Sequence, residues 1–403
     1  MLKKICSIFL IIGGINFIYA QYEPIANLQT QRILYNQAKN IREKSERIKD
    51  IYKVATEEYK SFITDILVDV ANYFLQNDML EKRTFDEWAY YSILTASKLK
   101  MKEAAPYFRD IFQKVSRSDY RGHILFLIGE SQNRELLPFL NEQLKYYNNK
   151  QRLGDVKVKD IFIMIEGCLT GLEFFLDPTS FLEVFYAVNA YNERIRDIAT
   201  RVRDKIAEKN DAATICDDII KTNEDLELVY DILNYSFKSK SPDEKKIKNC
   251  HTALNRMLND LSAKDLVKKD IILRIKNLAV TILGELKAGD PTSLELIKLK
   301  WSYDKDEKSD QATIEALRKI GNEEVVRILT NRLALYIKIL KEGGKITFEK
   351  EYAVDFIRVI VRALGDMNSK IPLPELETIK TGAEFGKPLQ DEAEKAIAKI
   401  LKK

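Results

Sequence analysis

The chain has 403 residues, 45% apolar and 31% charged, with 65 Lys+Arg against 61 Asp+Glu and a formal net charge of +4. Its 15 glycines and 9 prolines amount to about half the ~12% usual for the two together, which excludes collagen-like, linker-rich and turn-dense β architectures and leaves long helices. The apolar content excludes disorder, four cysteines exclude a disulfide scaffold, and only two histidines with so small a net charge disfavour many catalytic and nucleic-acid-binding schemes.

The first twenty residues, MLKKICSIFLIIGGINFIYA, carry Lys3 and Lys4 ahead of an apolar stretch from Ile5 to Phe17. Ile18 and Ala20 suit a cleavage site that leaves Gln21 as the new N-terminus, the pattern of a secretory leader. Roughly 15 apolar residues fall short of the ~20 that span a bilayer. Cys6 precedes the apolar stretch, so a lipidation signal is not supported. The expectation is a signal peptide over 1–20 and a periplasmic or secreted chain with 63 basic and 61 acidic residues, a net +2. No later run of 18 apolar residues offers a membrane span after cleavage.

Over 21–80 the pattern predicts an N-terminal long-helix region. Leu34, Ile41, Ile48, Ala55 and Phe62 recur every seven residues, and Ala38, Tyr52, Tyr59 and Ile66 fill intervening positions, with Ser45 the exception. Such spacing fits a long amphipathic helix or the start of a helical array. A self-associating coiled coil through 30–67, giving a homo-oligomer, is the sharper alternative.

Helix starts and stops follow through the remainder, 81–403. Thr84-Phe85-Asp86-Glu87 and Ser241-Pro242-Asp243-Glu244 read as capping boxes, and Asp177-Pro178-Thr179-Ser180 and Asp290-Pro291-Thr292-Ser293 place an acid before a proline. Gly129, Gly284, Gly321 and Gly365 each follow a Leu or Ile at the end of an apolar run, where glycine suits the left-handed position past a helix. The two DPTS segments lie 113 residues apart, a distance that three repeats of about 38 residues would fill.

The phrases ILFLIGESQNRELLPFL, AVTILGELKAGDPTSLELI, EALRKIGNEEVVRIL and RALGDMNSKIPLPEL resemble HEAT-type repeats, most clearly over 119–148 and 270–340. Residues 149–270 depart from the pattern, and the Trp…Leu-Gly…Tyr series of tetratricopeptide repeats is absent. The resemblance implies an all-α fold, a right-handed α-solenoid of stacked antiparallel helix pairs of the HEAT/ARM kind. It also implies protein binding, but brings no functional residue with it.

Few groups suggest chemistry. His123 lies near a helix start, and His251 adjoins Cys250, but neighbouring helical residues point ~100° apart and make no dyad. No His-Glu-x-x-His, paired cysteines or spaced histidines suggest zinc. The acidic stretch Tyr303–Asp310 lacks the glycine and terminal glutamate of a calcium loop and reads as a solvated connection. Gly343-Gly344 is a short turn rather than a phosphate cradle. The basic runs Lys245-Lys246-Ile247-Lys248 and Lys268-Lys269 are balanced by Asp243, Glu244 and Asp265, so no nucleic acid is expected. Cys168, Cys216 and Cys250 read as small buried hydrophobes, a bridge between Cys216 and Cys250 staying open. Tyr90-Tyr91 and Tyr146-Tyr147 suit core, rim or interface positions. The expectation is an exported scaffold or adaptor that binds envelope proteins, with no catalytic, cofactor or metal residues and with partner-binding residues not assignable. A hydrolase acting on cell-wall glycans would need two carboxylates ~5–10 Å apart, which linear sequence does not display.

Overall fold

Side-chain oxygens set many of the helix starts. Asn27, Asn40, Asp78, Asp225 and Asp290 each accept a first-turn backbone N–H, satisfying donors that the helix itself cannot. The computed structural model describes residues 27–76, 78–154, 158–259, 266–304, 307–341 and 350–402, and every regular element among them is helical. The predicted leader and the Gly343-Gly344 turn lie outside the described residues.

The chain divides into two compact units after Arg203. The first holds α1 (Leu28–Gln37), α2 (Ile41–Val54), α3 (Lys60–Asn72), α4 (Met79–Lys98), α5 (Ala105–Phe112), α6 (Ser118–Glu130), α7 (Leu137–Arg152), α8 (Val158–Leu172) and α9 (Phe181–Ala190), and the division falls within α10 (Glu193–Asn210). The second holds α11 (Ala212–Thr222), α12 (Leu226–Lys238), α13 (Asp243–Asn259), α14 (Leu266–Glu285), α15 (Pro291–Tyr303), α16 (Glu307–Ile320), α17 (Glu323–Lys341), α18 (Lys350–Asp366), α19 (Leu373–Thr381) and α20 (Gly386–Leu401).

Within each unit a helix packs on the helix two positions along the chain. In the first, α2, α4, α6 and α8 follow one another in this way, as do α3 with α5 and α7 with α9. In the second, α12, α14, α16, α18 and α20 form one such series, and α11, α13 and α15 another. The physical cause is amphipathicity: each helix has one apolar stripe and buries it only against a neighbour.

The heptad region is not one long helix. Asn40 and Glu43 form a capping box in which Glu43 accepts from Lys39 N at 2.8 Å and Asn40 Oδ1 accepts from Glu43 N at 3.0 Å, so α2 starts afresh. Ile48, Ala55, Tyr59, Phe62 and Ile66 are buried inside the unit, where the coiled-coil reading placed them on an exposed seam.

The glycines serve a different purpose from the one their positions suggested. Gly129, Gly284 and Gly365 lie inside α6, α14 and α18, and each meets a neighbouring backbone. A Cβ on Gly129 would sit 2.2 Å from the Gly171 carbonyl oxygen, and one on Gly167 2.1 Å from that of Gly122. The same construction puts Gly284 2.7 Å from Ala316 Cα and Gly365 2.9 Å from Ala396 Cα. Beyond these helices the left-handed backbone falls on Gln132, Lys287 and Asn368, with φ of 54°, 51° and 54°. Gly321, at φ 63° just past α16, is the one that fits the expected left-handed role.

Helix ends are closed from neighbouring helices. Buried Asp86 on α4 accepts from Ser116 N, Ser116 Oγ and Arg117 N at 2.8, 2.6 and 3.0 Å, at the start of α6. Thr84 therefore caps nothing; its hydroxyl bonds the Leu80 carbonyl within α4. Ser241 Oγ likewise accepts from Ala213 N, at the start of α11 rather than of its own helix. Cations close the other ends. Lys98 donates to the carbonyls of Tyr52 and Lys53 at the end of α2, Lys114 to those of Ala71 and Tyr73 after α3, and Arg256 to those of Ile220 and Asn223 after α11. These contacts meet orphan carbonyls and the negative end of the helix dipole together.

Gly129→Ala and Gly167→Ala are each expected to cost about 1–3 kcal/mol through forced separation of α6 and α8, seen as a lower urea midpoint. Gln132→Gly, which relieves a left-handed residue, is expected to hold the midpoint or raise it by up to ~1 kcal/mol. A Gly167→Ala midpoint equal to wild type would mean the two backbones do not meet.

Candidate functional site: an aromatic cleft on the first unit

Because α2, α4 and α6 lie side by side, rings at helical spacing on each join into a stripe. Tyr120, His123 and Phe126 stand at i, i+3 and i+6 on α6, on one face. Ring centroids run from Tyr52 to Tyr91 at 6.0 Å, Tyr91 to Tyr90 at 5.5 Å and Tyr90 to Tyr120 at 4.1 Å. A branch continues from Tyr90 to His123, Phe126 and Phe174, each step 5.6 Å. Where this branch ends the surface is concave, a cleft of about 590 Å³ lined by Phe108, Phe126 and Phe174 among others. Phe108 is buried and Phe174 is 40% exposed. Lys98, Lys100, Lys102 and Glu130 also line it. Its size is that of a ligand-binding concavity, and its lining mixes apolar and aromatic side chains with polar and charged ones in about equal measure.

His123 Nδ1 lies 2.6 Å from the Tyr90 hydroxyl. Burial pushes the imidazole below its ordinary range, with Glu130 opposing, and burial raises Tyr90. The pair is therefore neutral at pH 7, joined by one hydrogen bond. Ser97 Oγ donates to Glu130 Oε2 at 2.6 Å and Ser131 Oγ to the Ile128 carbonyl at 2.6 Å, so neither serine of the described lining is bound to an imidazole base. Glu130 is the one carboxylate among the described lining residues, where glycoside hydrolysis needs two.

His251 resembles catalytic machinery at first sight. Its Nε2 lies 2.7 Å from Ser293 Oγ, which lies 2.5 Å from Asp290 Oδ2. The order is wrong for nucleophilic catalysis. Ser293 donates its proton to Asp290, so His251 must present N–H to the same oxygen and cannot act as base toward it. Ser293 is fully buried in the first turn of α15. This is a helix start clamped by an imidazole from α13.

The acidic stretch after α15 is not the solvated connection expected. Asp304, Ser309 and Asp310 are buried, and two buried lysines converge on Asp304: Lys276 on Oδ1, and Lys300 at 3.3 Å from Oδ2. Lys300 Nζ also donates to Ser309 Oγ at 2.6 Å and Thr313 Oγ1 at 3.0 Å. Burial pushes Lys300 below the usual lysine range, and Asp304 opposes that. The network ties α14, α15 and α16 together, and its hydroxyls supply the hydrogen bonds that a desolvated ammonium requires. A signal for it exists in the sequence: Lys300 stands at a core position between Ile297, Trp301 and Asp304, on the face that buries α15.

The remaining candidates are accounted for locally. Cys168, Cys216 and Cys250 are buried free thiols, so Cys216 and Cys250 are not bridged, and burial pushes all three up. Lys245, Lys246 and Lys248 pair with Asp211, Asp243 and Asp217, which leaves no basic patch there. Tyr146 and Tyr147 meet edge to face on α7. Among the described residues no group of three His, Cys, Asp or Glu could hold a metal ion, and no helix is long and apolar enough to cross a membrane.

Asp304→Ala, which strips the carboxylate from two buried ammonium groups, is expected to cost about 3–5 kcal/mol. Lys300→Met leaves the Lys276–Asp304 pair intact and is expected to cost markedly less, both read from urea unfolding. The two histidines make a separate pH prediction. Their folded pKa values lie below the unfolded value of about 6.5, so the unfolded chain takes up more protons as pH falls, and stability present above that value is lost on acidification. Thermal midpoints should fall from pH 7.5 to 5.5, and His251→Asn should flatten that slope. Asp211, held at about 2 against the opposing effect of burial by bonds from Lys245, Ser241 and Thr214, contributes only at lower pH.

No known protein family matches this sequence, and no curated protein matches it.

Proposed function

We propose that this chain is an exported bacterial α-solenoid of the HEAT type that serves as a protein-binding scaffold or adaptor in the cell envelope, and that the aromatic cleft of the first unit is where a partner binds. The observation that carries the reading is the cleft itself: half-buried rings side by side that end at the exposed Phe174, a lysine-bearing edge, and a serine and a histidine that do not meet as nucleophile and base. Aromatic side chains give large contact area at low entropic cost, which suits them to protein recognition. The next-but-one packing within each unit agrees with stacked helix pairs, whose extended faces commonly bind other proteins. Export rests on residues 1–20 as a cleaved leader, which predicts a periplasmic or secreted protein beginning at Gln21.

The test is mild crosslinking in intact cells followed by affinity capture, with Phe174→Ala alongside wild type. One stoichiometric protein partner, weakened by at least about fivefold in the variant, is expected. A glycan in place of a protein, or no partner, sinks the reading. Intact-mass measurement of the exported protein checks the leader, and a mass retaining residues 1–20 would rule out cleavage.

A further inference from the structure

Resting on the protein-binding reading, we infer that the cleft selects a particular kind of segment: an extended stretch of the partner with one bulky apolar side chain and acidic side chains beside it. The apolar side chain seats among Phe108, Phe126 and Phe174, and the acids reach Lys100 and Lys102.

The argument begins with charge. Along this row of helices the cations are mostly consumed: Lys44 pairs with Asp69 and Lys49 with Glu87, and Arg117 pairs with Asp119. At the cleft, Lys98 uses its ammonium on the carbonyls of Tyr52 and Lys53. Glu130 accepts from Ser97 and keeps its negative charge, so three lysines and one glutamate leave the described lining with a surplus of two positive charges. Lys100 and Lys102 are exposed and take part in no ion pair among the described residues. The edge of the concavity thus carries two uncompensated positive charges in a chain whose net charge is only +4. Complementarity of that kind selects partners and speeds encounter.

Hydrogen bonding adds a second constraint. His123 lines the cleft and holds the Tyr90 hydroxyl at Nδ1, while its Nε2 has no partner among the described residues. An extended peptide presents backbone N–H and C=O groups that such a nitrogen can meet in either tautomer. The alternatives fit less well. Single-stranded nucleic acid needs a basic track along the stacking rings, but along Tyr52, Tyr91, Tyr90 and Tyr120 the cations Lys49 and Arg117 are neutralised by Glu87 and Asp119, and Lys98, over the Tyr52 ring, has its ammonium tied to the Tyr52 and Lys53 carbonyls. A neutral glycan would use the rings and have no call on the two lysines.

The experiment selects a random decapeptide display library on the purified full chain, then measures fluorescence anisotropy of the enriched peptide, labelled with fluorescein. The expected motif holds an aromatic or large aliphatic residue with two or more acids within three positions. Lys100→Glu with Lys102→Glu should weaken its binding about tenfold, and Phe174→Ala should weaken it comparably. All three sites are partly or fully exposed, and unchanged thermal midpoints would confirm that the variants fold. An enriched motif without acids, equal binding to the charge-reversed variant, or no enrichment overturns the inference. If crosslinking still yields a protein partner in those cases, the scaffold reading stands and only the acidic segment is lost. Saturable binding of a labelled oligosaccharide or oligothymidylate at the cleft, abolished by Phe174→Ala, would overturn both.

Discussion

A helix in this chain covers its apolar stripe with the helix two positions further on, and how closely the two can approach decides what else is built. Where α6 meets α8, four glycines let the backbones come within reach of each other's carbonyls. The close approach seals the core around the seam: Ile124, Leu125 and Ile128 on α6 and Ile165, Cys168 and Leu169 on α8 are all fully buried. Close approach of one pair also fixes the separation of its neighbours. The stripe of rings on α2, α4 and α6 depends on it, because rings three residues apart on one helix join those of the next only when the helices lie tightly side by side.

Tight packing raises a second requirement, since helix ends brought against neighbours lose water. The chain meets it with side chains from elsewhere in the unit: Asp86 closes the start of α6, Ser241 that of α11, and Lys98, Lys114 and Arg256 cover terminal carbonyls. Each of these bonds joins segments roughly thirty or more residues apart and so fixes the register between successive helix pairs. A helix slipped by one turn would leave both an amide set and a carbonyl set bare.

Helix content and many boundaries were legible in the sequence because apolar periodicity and capping residues are local signals. Asn40-Ile41-Arg42-Glu43 was as readable as the heptad that it interrupts; the heptad misled because a seven-residue apolar repeat describes equally well one long helix or several short ones buried in the same core. Gly129, Gly284 and Gly365 do answer a backbone need that no other residue meets, but it is close approach and not the left-handed turn, which of the four Gly321 supplies. Left-handed turns and close approach both call for glycine, and only the neighbouring helix distinguishes them. Ser241 and Thr84 failed similarly, since a hydroxyl before an acid looks the same whether it serves its own helix or another. Of the cleft, His123 and Tyr90 stand out singly in the sequence, while Phe174, Lys100 and Lys102 give no signal, because only packing gathers residues from four helices and their turns.

The two units treat polar groups near apolar ones in opposite ways, and the contrast bears on which could act on something outside the chain. Lys300 has the more perturbed environment, and perturbed groups often mark functional sites. Its ammonium, however, is enclosed and answered by Asp304, Ser309 and Thr313, and a desolvated charge left unanswered would have cost more than the fold can bear. Such a cluster is complete by necessity and has nothing to offer a ligand. At the cleft, water screens Lys100 and Lys102 until something displaces it, so the fold tolerates leaving them unanswered. Unmet capacity can persist only where solvent covers it, beside apolar surface that gains by losing that solvent. That combination occurs at the edge of the aromatic cleft, and it is why the proposed binding is assigned there and not to the buried lysines.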